Sequence, residues 1–181
     1  MYNQYDAHVR AWFRNKWNND KDDLMMRAMK ASNRAQSWRN FNVGCAVLAY
    51  KADASIEDRW RIFVGANVKV TQDARPVCAE MTAILTALHS DFDRIIGLSV
   101  FGKPQDEEDR ESGIKPKHLH PCPDCRKTME KLSIVAHDTM LLCVKVGPVE
   151  GSLGEEESQS ILTEEMTFAE LLAAHNGNGK H

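Results

Sequence analysis

Short apolar runs with strand character alternate with longer segments of helical period from about residue 40 to residue 147, and this alternation restricts the folds open to the chain. Leu24, Met25, Ala28, Met29, Ala31, Ala35 and Trp38 recur at helical intervals and predict a helix over 21–39. Val43–Tyr50 and Trp60–Ala66 read as two strands joined by a polar hairpin loop over 51–58, and Asn67 to Val77 reads as a turn-rich segment closed by Pro76. A helix from Ala79 to about Ser90 buries Ala79, Ala83, Ile84, Ala87 and Leu88 on one stripe, and Ile95–Phe101 is a compact strand. After an irregular charged loop over 103–119, a helix runs from Pro123 or Asp124 to about Val135 and a fourth strand from Thr139 to Val146. An acidic stretch leads to a short final helix over Thr167–Ala174, where Thr167 and Glu170 have capping-box spacing, and 176–181 reads as a frayed end. Helices set between strands require crossovers and hence some parallel pairing. The pattern therefore predicts an α/β fold, a mixed sheet covered by helices on both faces.

At 181 residues the chain suits one domain, with a core over about 21–147, an N-terminal extension and a C-terminal acidic segment. No apolar run approaches the roughly 20 residues that span a bilayer, and the polar first residues lack a signal-peptide core. A cytoplasmic location is the resulting expectation. Five cysteines (45, 78, 122, 125 and 143) cannot all pair, so metal or thiol chemistry explains them better than a disulfide scaffold. The net charge of -3 is uneven: seven glutamates and no lysine or arginine lie between Glu150 and Glu170. The remainder has no concentrated basic block, and the four tryptophans no basic interleaving, so a polynucleotide substrate is not indicated.

The segment His120–Cys125, HPCPDC, carries two cysteines three positions apart at a helix start. That spacing lets both thiolates grip one zinc ion from adjacent directions, and free N–H groups at the helix terminus favour the thiolate form. Redox pairs share the spacing. A second helix start, Val77–Glu80, offers Cys78 as a third thiolate, which would leave the fourth metal position to water. Glu80, two residues on, could exchange a proton with that water without binding the metal. Standing alone, Cys78 reads as a small buried hydrophobe and Glu80 as a first-turn glutamate facing the helix dipole. Cys45 and Cys143 lie in apolar strands and read as core, and His120 borders the metal segment with no metal role required of it.

Cys78-Ala79-Glu80 followed by Pro121-Cys122-Pro123-Asp124-Cys125 resembles the zinc signature of the cytidine deaminase superfamily. The resemblance extends to Phe41–Val47, to Gly65–Val68 and to Arg126-Lys127, and covers about residues 40–147. It implies a three-layer α-β-α sandwich, a Zn2+ cofactor held by Cys78, Cys122 and Cys125, and hydrolytic removal of the amine at C4 of a cytosine ring with release of ammonia. In that scheme Glu80 moves protons at the ring and the leaving amine, Asn67 bonds the sugar, and Phe41 and Ala79 line the base pocket. A cysteine rather than a histidine at position 78 points to the free-nucleoside, three-cysteine branch. The resemblance further implies a homo-oligomer, dimer or tetramer, whose chains complete one another's sites.

Three positions depart from that pattern. Lys69 stands where cytidine-acting members usually carry a glutamate, and an ammonium donates but cannot accept a hydroxyl proton. In extended backbone Lys69 shares a face with Asn67, so the substrate would be a nucleoside with an anionic or acceptor-rich substituent, a modified nucleoside or a nucleoside antibiotic. The other reading leaves Lys69 in solvent, Asn67 in a turn and Phe41 in the core. Met81 replaces the arginine that commonly follows the catalytic glutamate, and the 44 residues from Cys78 to Cys122 leave an enlarged loop over 103–119. A zinc protein without catalysis is the alternative from another class, and a fourth protein ligand would favour it.

Overall fold

The computed structural model describes residues 7–38, 41–102, 119–148 and 159–176. A five-stranded sheet has the order β3-β2-β5-β6-β7, built from β2 (Val43–Tyr50), β3 (Trp60–Ala66), β5 (Arg94–Gly102), β6 (Met140–Pro148) and β7 (Gln159–Thr167). β2 runs antiparallel to both β3 and β5, β5 runs parallel to β6, and β6 runs antiparallel to β7. Two short strands, β1 (Gln36–Ser37) and β4 (Val68–Lys69), form a separate parallel pair. The sheet is mixed, as the alternating pattern predicts.

Strand side chains alternate between two cores. Ala46, Leu48 and Tyr50 of β2 meet Phe13, Trp17, Leu24 and Ala28 of α1 (Ala7–Ser32) on one face. Val43, Cys45, Val47 and Ala49 of the same strand meet the opposite layer. That layer contains α2 (Ala79–His89), α3 (Pro123–Lys131) and α4 (Phe168–Asn176), through Ala83, Ile84, Met129, Phe168 and Leu171. The result is an α-β-α sandwich. Close approach is built in at two glycines: a Cβ at Gly97 would enter the Trp17 ring, and one at Gly65 would enter the backbone of α2 at Ala79 and Ala83.

Three elements differ from the sequence expectation. α1 begins at Ala7 and stops at Ser32, in place of the helix expected over 21–39. Its buried stripe of Phe13, Trp17, Leu24, Ala28 and Ala31 is about one residue wide and broken by polar Asp20 and Lys21, so the first half shows little helical period. Beyond Ser32 the backbone turns to β4: Gln36 N–H donates to the Asn67 carbonyl and Trp38 N–H to the Lys69 carbonyl, both at 3.0 Å. α3 ends at Lys131, not near Val135, because Ile134 turns back and its carbonyl accepts from Ile95 N–H at 2.7 Å. The acidic stretch is in part a strand, β7, paired along β6 from Met140↔Thr167 to Pro148↔Gln159. Its outward glutamates have ladder and side-chain partners: Glu165 accepts from Trp17 Nε1 at 2.8 Å and from Lys21 Nζ at 2.7 Å, clipping β7 to α1. The Thr167 cap is present, with Thr167 N–H donating to Glu170 at 2.7 Å and Glu170 N–H to Thr167 Oγ1 at 3.2 Å. The loop expected over 103–119 lies outside the described residues except for Leu119, as do Glu155, Glu156, Glu157 and residues 177–181.

Candidate metal centre and cavity

Each of the two helix starts is capped by a cysteine in extended backbone, Cys78 before α2 (ψ 147°) and Cys122 before α3 (ψ 162°). Pro123 fills the first turn of α3, where its missing N–H costs nothing, and Cys122 Sγ accepts from Cys125 N–H at 3.4 Å. Three Sγ atoms converge: those of Cys78, Cys122 and Cys125 all lie within 4.8 Å of one another, with Cys78 and Cys122 3.7 Å apart. Tetrahedral zinc–thiolate bonds of about 2.3 Å separate sulfurs by about 3.8 Å, so this spacing fits one zinc ion. No fourth histidine, cysteine or carboxylate donor joins the cluster among the described residues.

The ionisation of the cluster also fits a cation. Cys122 is pushed far below the ordinary thiol range, first by the hydrogen bond from Cys125, then by that from Cys78, with the N–H groups of Cys125 and Asp124 adding to it. The partners move the other way: Cys78 rises to about 12, chiefly through its hydrogen bond with Cys122, and Cys125 is raised for the same first reason. Holding a metal ion would require all three thiols to be deprotonated, so its binding would release protons from Cys78 and Cys125. Cys45 and Cys143 stand apart from the cluster, wholly buried on the sheet, and burial raises both thiols.

Glu80, in the first turn of α2, is 5% exposed. Burial, and after it the negative charge at Cys122, pushes its carboxyl up to about 7 against an opposing backbone hydrogen bond. It lines a cavity of about 560 Å³ together with Cys78, Cys122, Ala79, Phe41, Asn67 and Lys69. All the residues expected to bind substrate thus share one cavity with two of the three thiols, and Cys125 lies beneath, 1% exposed. Asn67 does more than face the cavity: Val43 N–H donates to its Oδ1 and its Nδ2 donates to the Phe41 carbonyl, both at 2.7 Å, fixing the Phe41–Val43 turn against the end of β3. Lys69 lies in β4 beside Ser37, two residues from Asn67 in extended backbone.

The cavity also takes residues that the sequence reading placed elsewhere. Trp38, assigned to helix packing, lines it at 39% exposed, as do Ser37 and Gln72. Recognising that the helix stops at Ser32-Asn33, before Ser37-Trp38, would have released them from the helix. The other three tryptophans pack within the fold: Trp12 and Trp60 form an aromatic cluster with Phe13 and Tyr50, and Trp17 is fully buried. Leu119 and His120 line the cavity from the side of the second thiol segment.

The family described as cytidine and deoxycytidylate deaminase zinc-binding region matches residues 18–139. Among solved structures the chain is similar to a cytidine deaminase from Burkholderia pseudomallei, at 20% identity and a TM-score of 0.56, over 83% of this chain and 94% of that one. It is similar too to a cytidine deaminase from Mycobacterium leprae, at 18% identity and a TM-score of 0.50, over 84% and 97% of the two chains. At these identities the likeness is one of fold. Comparison with curated protein sequences gives no match.

Proposed function

This chain belongs to the cytidine and deoxycytidylate deaminase family, and from that premise we propose that it hydrolytically deaminates a cytidine-like nucleoside, releasing ammonia. The observation that carries the reading is the convergence of three thiols and a buried carboxyl at one cavity. Cys78, Cys122 and Cys125 would hold one Zn2+, which supplies Lewis acidity and lowers the pKa of water in an open fourth position. Glu80, sheltered from bulk water, takes a proton from the attacking water and delivers it to the ring nitrogen, then takes that water's second proton and passes it to the departing amine. Phe41 and Ala79 bound the base, and Asn67 keeps the Phe41–Val43 turn in register while facing the sugar.

Lys69 supports a second substrate reading, a modified nucleoside or nucleoside antibiotic with an anionic or acceptor-rich substituent. Apart from Glu80, deep beside the thiols, no carboxylate is among the described residues that line the cavity, whereas Lys69, Gln72 and Asn67 all offer donors. We further read residues 1–181 as one deaminase unit that acts in the cytoplasm as a dimer or tetramer. No helix among the described residues is long and apolar enough to cross a membrane.

The test is ammonia release by zinc-loaded protein against cytidine, deoxycytidine, cytosine, their phosphates and cytosine-bearing antibiotics. Turnover of at least one cytosine nucleoside is expected. Silence across the panel, from protein with one zinc per chain, refutes the deaminase reading and leaves a zinc protein of another kind.

A further inference from the structure

His120 stands two residues before Cys122 and lines the cavity, yet both of its ring nitrogens are engaged away from it. Nε2 lies 2.7 Å from Glu164 Oε2 on β7, and Nδ1 lies 3.1 Å from His175 Nε2 near the end of α4. The carboxylate accepts, so Nε2 carries the hydrogen, and Nδ1 shares a single hydrogen with His175 Nε2. The two imidazoles meet edge to face, with centroids 5.3 Å apart and planes at 86°. Hydrogen bonds at both ring nitrogens, to side chains on two different elements, restrain the ring. His120 thus contributes an aromatic ring to the cavity lining while two partners outside that lining hold its nitrogens.

We propose that His120 is a substrate-contacting wall that packs its ring against a planar, conjugated base, with Glu164 and His175 as the positioning residues that hold it there. The inference rests on the deaminase reading and names what that reading leaves open, the flatness the site selects for. It also gives β7 and α4 a part in recognition. Their two side chains reach back to the residue that leads into the second thiol segment. A competing role for the trio is to pin the C-terminal elements to that segment, with no bearing on what the cavity binds.

Binding of two non-reacting probes to the zinc-loaded full chain separates these roles: uridine, whose ring is flat, and 5,6-dihydrouridine, whose ring is puckered. The wild-type protein is expected to prefer uridine. A base–aromatic stack removed by alanine commonly weakens binding by about ten-fold or more. His120→Ala should therefore lose roughly ten-fold for uridine, little for dihydrouridine, and bring the ratio near one. His120→Phe, flat and self-supporting in an apolar wall, should keep the preference. His175→Ala and Glu164→Gln should each raise KM several-fold with kcat held, and lose that effect in the His120→Phe background. An unchanged uridine-to-dihydrouridine ratio in His120→Ala overturns the proposal. So does an effect of His175→Ala that persists beside His120→Phe, because it would then act on the fold. A wild-type protein that binds neither probe and releases no ammonia overturns the deaminase reading itself, and the wall with it. Turnover with unaltered ratios overturns the wall alone.

Discussion

Replacing Glu80 with glutamine sets two roles for this carboxyl against each other. The side chain is buried in the first turn of α2, on the wall of the cavity, two residues from Cys78. Glutamine keeps its volume and its capacity to hydrogen-bond but cannot carry a proton between water and substrate. If Glu80 serves only the helix dipole, its loss costs about 0.3–1 kcal/mol of stability and leaves turnover alone. If it moves the protons of a hydrolytic deamination, the loss is about 10²–10⁴ in kcat, or about 3–5 kcal/mol of barrier. The two expectations do not overlap. Glu80 is outside the three-sulfur cluster, so the variant should still bind one zinc per chain, measured by elemental analysis, with three sulfurs and one light ligand by X-ray absorption. Ammonia release under saturating substrate should then fall by at least a hundred-fold while KM changes only a few-fold. A loss of five-fold or less, with zinc intact, refutes the assignment and moves the proton chemistry to another group.

Four further outcomes follow from the structure. Cys122→Ala should lose zinc and turnover together, since it removes the thiol that accepts from both Cys125 and Cys78, and zinc retained at full stoichiometry would contradict the cluster. Lys69→Glu should shift kcat/KM toward plain cytidine over cytidine 5′-phosphate by roughly ten- to hundred-fold, the size of one charge-assisted contact, and an unchanged ratio places Lys69 outside recognition. Trp17→Ala should lower unfolding stability by about 3–5 kcal/mol in urea titrations, because it empties a fully buried site over Gly97 and frees Glu165 of one donor. The pH dependence of the same clip has a definite sign. Burial would raise the Glu165 carboxyl, but the hydrogen bonds from Lys21 and Trp17 outweigh it and hold it below its ordinary value. Its contribution, less than about 1 kcal/mol at a partly exposed site, is therefore present above the ordinary carboxylate range and lost as pH falls through the depressed value. The stability gap between wild type and Glu165→Gln should close in acid, and a gap that widens there contradicts the clip.

The parts of this structure legible in the sequence are those in which local chemistry and tertiary context agree. Cys78 and Cys122 sit at the N-caps of α2 and α3, with Pro123 marking the start of α3, and these two helices begin where the sequence places them. The central strands β2 and β5 are apolar on both faces, so continuous runs of Val, Ile, Leu and Ala announce them. β7 could not be seen this way. It is an edge strand with glutamates at 164 and 165, and its order comes from β6, from Lys21 and Trp17, and from His120. The side-chain partners lie 44 to 148 residues away in sequence, and none leaves a mark on the local pattern. Trp38 departs from its local pattern for the opposite reason: its spacing from Ala31 and Ala35 is helical, but the backbone around it gives its hydrogen bonds to Asn67 and Lys69.

The topology explains why two thiol segments separated by 44 residues meet at one point. β5 and β6 are parallel, and α2 and α3 each precede one of them, so each helix must start near the end at which its strand finishes. Val43, at the start of β2, pairs with Gly102 at the finish of β5, which brings the Phe41–Val43 turn to the same end. Ala66, at the finish of β3, pairs with Gly44, and so delivers Asn67 and then Lys69 there as well. The cavity is thus assembled from one end of the sheet, outside the carboxyl ends of the parallel strands, where an open α/β sheet leaves a crevice. Every group that would hold metal, move a proton or select a substrate is a strand end or a helix start. None requires the middle of a strand to carry polar chemistry, which is why β2 and β5 can remain apolar cores while the chemistry is confined to their rim.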